Sequence, residues 1–161
     1  MNTATFNSPL ECGLRALTLL SASYPDPCDL QRLVFYDYLL VHSGDVPGGP
    51  PSIHPPTPLR SGEALVRRRW IESGLMLMAS RELLTQTFSD SGIRYEASAI
   101  TDAFLSYLEE PYSHQLRERA TWVLRQFRSY SDAELVEFFK KNLDRWSGEF
   151  IFEGIPEEEQ P

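Results

Sequence analysis

The chain has 161 residues, 42% hydrophobic and 24% charged, which suits one compact domain or a small domain with a helical extension. Its formal charge is −8, with a pI near 4.9. A self-sufficient DNA-binding domain draws much of its affinity from basic residues facing phosphates, so this balance argues against one and favours protein partners. The apolar runs are short, which excludes a membrane-spanning helix. The first residues lack the basic start and apolar block of a signal peptide, so a cytoplasmic location is expected.

The first helix is predicted from Ser8, with Ser8 as N-cap and Pro9 at the first helical position. Leu10, Leu14, Leu17 and Ser21 keep helical spacing, and Glu11 and Arg15 are expected to pair on the outside. The prolines of Tyr24-Pro-Asp-Pro27 end this helix. A second helix is expected from about Asp29 to Val41, apolar nearly all round and so buried on more than one side. Asp37 lies inside that run, and a buried carboxylate needs an arginine or a hydroxyl. Cys12 and Cys28 are placed on these two helices as buried thiols.

Six of the twelve prolines fall between Pro47 and Pro58. Prolines fix φ in advance, so this long loop is inexpensive to order, and a rigid loop of this kind suits docking on its own domain or on a partner. The docking candidates are His42, Asp45, Ile53, His54, Pro55 and Pro56, with Phe150 and Phe152 in the tail. A metal site at His42, Asp45 and His54 matches no familiar ligand spacing, so no metal and no cofactor is expected.

A third helix is predicted over residues 61–79 with two apolar stripes: Ala64, Ile71, Leu75 and Met78 on one, Val66, Trp70 and Leu77 on the other. Arg67, Arg68 and Arg69 sweep about 200° of its circumference and cannot form a single phosphate-facing stripe. Next comes a β-hairpin, with Leu84, Gln86 and Phe88 alternating with threonines, a four-residue turn Ser89-Asp-Ser-Gly92, and Ile93, Tyr95 and Ala97 on the return. A helix followed at once by a hairpin is the second half of a winged helix, although this wing tip is acidic and polar.

A fourth helix capped by Ser98 is expected to bury Ile100, Phe104, Tyr107 and Leu108. A fifth, over residues 113–128, carries the cleanest stripe: Leu116, Ala120, Val123, Leu124 and Phe127. The capping box Ser131-Asp-Ala-Glu134 starts a sixth, with Leu135, Phe138, Phe139, Leu143 and Trp146 on one side, and the last two helices form a hairpin. The fold expected is therefore mainly α with a small β-hairpin. A winged-helix domain spans residues 5–110 and includes the proline-rich loop 43–60. A helical extension covers 111–146, and an acidic, partly disordered tail covers 147–161.

The chain has no phosphate loop, no dinucleotide fingerprint and no nucleophile elbow, and its acids are spread along helices. No reaction class emerges, and a non-enzymatic protein is expected.

The blocks Phe6-Asn-Ser-Pro-Leu10, Asp29-Leu-Gln-Arg-Leu33, Tyr38-Leu-Leu-Val-His-Ser-Gly-Asp45 and Ser52-Ile-His-Pro-Pro-Thr-Pro-Leu-Arg-Ser-Gly62 occur in order. They are followed by Val66-Arg-Arg-Arg69 and Gly92-Ile-Arg-Tyr-Glu96. With these the chain resembles, over roughly residues 5–125, the middle-component proteins of bacterial ABC-type three-component conflict systems. The small subunit of Lamassu-type anti-phage complexes is similar to that class. The resemblance implies a non-catalytic subunit between an SMC/Rad50-like ABC ATPase and an effector, often a nuclease, with DNA met mainly through the complex. The alternative is an independent winged-helix regulator, dimeric, with Arg60, Arg67 and Arg68 on DNA.

Overall fold

A computed structural model describes residues 7–56 and 63–142. Helix α1 (Pro9–Ser23) starts as expected: the Ser8 side chain accepts from the Glu11 N–H and Pro9 occupies the first turn. Its buried face is Cys12, Ala16, Leu17, Leu19 and Leu20, while Leu10 is exposed, so the inward stripe lies beside the one the leucine spacing suggested. Residues 28–29 correct the reading of Cys28 as helical. Cys28–Asp29 form a short strand, β1, before α2 (Leu30–Val41) begins. Asp29 ends that strand and caps α2, accepting from the Arg32 N–H at 2.8 Å. A two-residue strand has no period to read, and its partner lies far along the chain.

Helix α2 runs through the middle of the molecule, and everything from Leu33 to Val41 is buried. Helix α3 (Glu63–Ser80) buries the first predicted stripe, Ala64, Ile71, Leu75 and Met78. It crosses α1 at two glycines. A Cβ on Gly74 would lie 2.9 Å from the Gly13 Cα, and one on Gly13 would lie 2.9 Å from the Gly74 carbonyl oxygen. Glycine costs a helix interior about 1 kcal/mol relative to alanine; here that cost permits close backbone approach.

Strands β2 (Leu84–Ser89) and β3 (Gly92–Ala97) pair in register from Leu84↔Ala97 to Ser89↔Gly92. Only Asp90 and Ser91 are left in the turn, which is tighter than the predicted four-residue connection, and Gly92 takes the positive φ. β1 adds to β3 through Cys28↔Tyr95 and Asp29↔Arg94. The sheet therefore has three antiparallel strands in the order β1-β3-β2.

Helix α4 (Thr101–Ser106) is short and turns Thr101 and Leu105 inward; Ile100 and Tyr107, expected inside, are exposed. The Thr101 hydroxyl donates to the Leu83 carbonyl, which fixes the rotation of the helix. Helix α5 (Pro111–Phe127) begins two residues earlier than predicted, because Pro111 occupies its first turn, and its predicted stripe is buried in full. At α6 (Asp132–Asn142) the capping box closes reciprocally. The Glu134 N–H donates to Ser131 Oγ, and the Ser131 N–H donates to the Glu134 carboxylate. Helix α6 packs on α5 and α2 through aromatic side chains, with Phe138 against Phe127 and Phe139 against Phe35. Leu143, Trp146, Phe150 and Phe152 lie outside the described residues. The whole is mainly helical, with one small antiparallel sheet.

Candidate functional site

The core holds a chain of polar groups. Asp37 is fully buried in α2 and is gripped from both sides. Arg15 Nε and Nη2 donate to its two oxygens at 2.7 and 3.0 Å, and Arg67 Nη1 donates to Oδ2 at 2.6 Å. Arg15 does pair with Glu11, at 3.9 Å, as the helix spacing suggested, but not on the outside: Arg15 is wholly buried. Burial by itself would raise the Asp37 carboxyl, but the two guanidiniums outweigh it and hold it down at about 2. The Arg67 guanidinium also lies over the rings of Tyr38 and Trp70.

From Glu11 the chain of contacts continues outward. The Tyr112 hydroxyl donates to Glu11 Oε1 at 2.5 Å, and His54 Nε2 lies 2.7 Å from the same hydroxyl. Tyr112 has one hydrogen and gives it to Glu11, so His54 Nε2 carries the other and donates. Burial first, and then the nearby Arg15 charge, lower His54 to about 3, so it is neutral. Burial and the Glu11 carboxylate keep the Tyr112 proton in place. These groups join α1, α2, α3 and α5 to the proline-rich loop.

That loop docks on its own domain. The N–H groups of Ile53 and His54 both donate to the Val41 carbonyl at 3.0 Å. Ser43 Oγ donates to the Pro51 carbonyl, the Gly44 N–H donates to Ser52 Oγ, and Asp45 accepts from the Tyr38 hydroxyl at 2.5 Å. Arg119 of α5 reaches over to donate to Ser43 Oγ and to the Pro51 carbonyl. Of the predicted docking residues, His42 and His54 are buried inside this arrangement, Asp45 and Ile53 are half-buried, and Pro55 and Pro56 are exposed. The rings of His42 and His54 lie 6.3 Å apart, edge to face. Among the described residues no group of three or more His, Cys, Asp or Glu side chains converges as a metal cradle. Both thiols are free and buried, and burial raises Cys12 to about 11, so neither is poised as a nucleophile.

The arginines proposed for DNA separate. Arg67 is only 3% exposed and is committed to Asp37. Arg68 is half-buried and within 4.0 Å of Glu72, and Arg60 lies outside the described residues. The outward face of α3 instead mixes three exposed apolar side chains with Arg69, Glu72 and Ser73. Leu65, Met76, Arg69, Ser73 and Val66 span roughly 100° of arc at 100° per residue, with Met76 70%, Leu65 48% and Val66 42% exposed. Two denser apolar stripes on the same helix mask this face in the sequence. Leu65 and Met76 in the gap between them were the available signal. Arg15 was legible too, as the one charge on an apolar helix face facing a helix with a buried Asp37. Tyr112 and Arg119 gave no local signal, since their partners lie far away in sequence.

Over residues 5–149 the chain matches the family described as ABC-three component (ABC-3C) system Middle Component 2. No curated protein and no solved structure matches the chain significantly. With most of its length under one family model, and with the proline-rich loop and the β-hairpin inside the match, the chain belongs to the Middle Component 2 family of ABC-three component systems.

Proposed function

We propose that this protein is the non-catalytic docking subunit of an anti-phage, Lamassu-like complex in the cytoplasm. It bridges an SMC/Rad50-like ABC ATPase to an effector, often a nuclease, and couples DNA sensing by the ATPase to control of that effector. The observation that carries this reading is the outward face of α3, where Leu65, Val66 and Met76 stand exposed among Arg69, Glu72 and Ser73. Apolar side chains at solvent mark a protein contact rather than a phosphate contact. Two features support a winged-helix domain: the order helix, strand, two helices, two strands, and a sheet ordered β1-β3-β2. In that architecture α3 occupies the place of a recognition helix. The net charge of −8 and the inward-turned Arg67 weigh against its use on DNA by the isolated chain.

The polar chain from Asp37 to His54 gives the subunit a rigid interior. It holds the proline-rich loop against α5, leaving Pro55 and Pro56 at the surface as a second contact. Coupling requires that the ATPase and the effector favour different contacts on these two faces. Co-expression with the neighbouring ATPase and effector, followed by size-exclusion chromatography with and without nucleotide, tests the reading. Co-elution is expected, and elution of this chain alone under every condition would sink it.

A further inference from the structure

Strand β2 lies at the outside of the sheet, and among the described residues no strand pairs with its free edge. Five of its six residues, Thr85 to Ser89, are exposed. An open edge presents a row of N–H and C=O groups that templates another strand, and proteins normally blunt such edges with charges, prolines or bulges. β2 has none of these. Leu84-Thr-Gln-Thr-Phe-Ser89 carries no charge and no proline, and its register with β3 is continuous.

The strand is also symmetric. Leu84-Thr85-Gln86-Thr87-Phe88 reads apolar, Thr, Gln, Thr, apolar in either direction. An antiparallel twofold through Gln86 sets Gln86 against Gln86 of a second copy, Thr85 against Thr87 and Leu84 against Phe88. Opposed residues then share a sheet face, because side chains alternate with period two. Within the strand no charges meet; just beyond its ends the same register sets Glu82 of one copy toward Asp90 of the other, an acidic pair at each end that adds to the repulsion between copies.

Phe88 supplies the reason for a second copy. It faces Ile93 across the hairpin, on the same sheet face as buried Leu84 and Tyr95, yet Phe88 is 71% and Ile93 43% exposed. The hairpin carries this pair past the edge of its own core. We propose that two copies of this chain join edge to edge through β2, forming a six-stranded antiparallel sheet β1-β3-β2-β2-β3-β1. In it Phe88 of each copy covers the buried base of the other strand at Leu84. The interface is isologous and closes on itself, as a twofold must. Each copy carries −8, so the pairing is opposed by repulsion and strengthens as salt shortens the Debye length, about 8 Å at 0.15 M.

The experiment uses the full chain alone and does not depend on the subunit reading. Sedimentation velocity at rising protein concentration, at about 0.15 M salt and at higher salt, is expected to shift from the 18.4 kDa monomer to twice that mass. Gln86→Cys is the register test. The axis puts the two positions about 4.5–5.5 Å apart between Cα atoms, within reach of a disulfide, while the buried Cys12 and Cys28 do not compete. Mild oxidation is expected to link Gln86→Cys into covalent dimers. Thr85→Cys alone and Thr87→Cys alone should stay unlinked, and their mixture should crosslink. A monomer at every concentration overturns the proposal, as does a dimer in which neither Gln86→Cys nor the mixed threonine variants crosslink.

Discussion

Asp37 is the residue on which the interior depends. Two guanidiniums converge on it in a space closed to water, so its removal leaves two buried positive charges uncompensated. Asp37→Ala is expected to lower unfolding free energy by about 3–5 kcal/mol in urea titrations, a large share of the roughly 5–15 kcal/mol a domain of this size has. Arg67→Ala disturbs the same cluster, so a loss of function in that variant reports on folding before it reports on DNA. His54 gives a pH signature. Its folded pKa lies near 3 against an ordinary 6.5, so as pH falls below 6.5 the unfolded chain takes up a proton that the folded chain refuses. Stability therefore falls with pH from about 6.5 toward 3, with a slope approaching 1.4 kcal/mol per unit. Burial sets most of this shift; the Arg15, His42 and Arg67 charges add to it and the Asp37 carboxylate opposes it. Urea unfolding at pH 7 and at pH 5 should differ by about 1–2 kcal/mol, and His54→Gln should remove most of that difference.

At the scale of elements, the crossing of α1 and α3 rests on two glycines. Gly74→Ala gains about 1 kcal/mol of helix propensity, but the new methyl meets Gly13 backbone that cannot rotate away. Overpacking of this kind costs about 1–3 kcal/mol, so a net loss in thermal or urea stability is expected, and a gain would show that the helices separate easily. The elements were legible where one short-range rule decided them. Ser8-Pro9 set the start of α1, the capping box set α6, and the stripe of α5 was read residue for residue. They were not legible where tertiary pairing overrode local pattern. β1 exists only because Cys28 and Asp29 meet β3, and α4 turned its threonine inward because the Leu83 carbonyl needed a donor. For the candidate site, the proline-rich loop was recognisable as rigid. Its seat on α5 through Tyr112 and Arg119 was not, because those contacts join residues 58 or more positions apart.

For the whole molecule, a buried polar chain fixes four helices and one loop, while exposed apolar side chains on α3 and, among the described residues, an unpaired sheet edge are left at the surface. That division of rigid interior and sticky exterior suits a subunit whose work is contact, and it fits the Middle Component 2 family in which the chain belongs. The charge of −8 weighs against contact with nucleic acid by the isolated chain. The most direct measurement is the effect of Met76→Glu combined with Val66→Glu on assembly with the neighbouring ATPase and effector. Both side chains are exposed, so the variant should unfold at the same denaturant concentration as the parent chain, within about 0.5 kcal/mol. The account predicts that the parent chain co-elutes with its partners and that the folded double variant loses at least one of them. A folded double variant that assembles as well as the parent would contradict it.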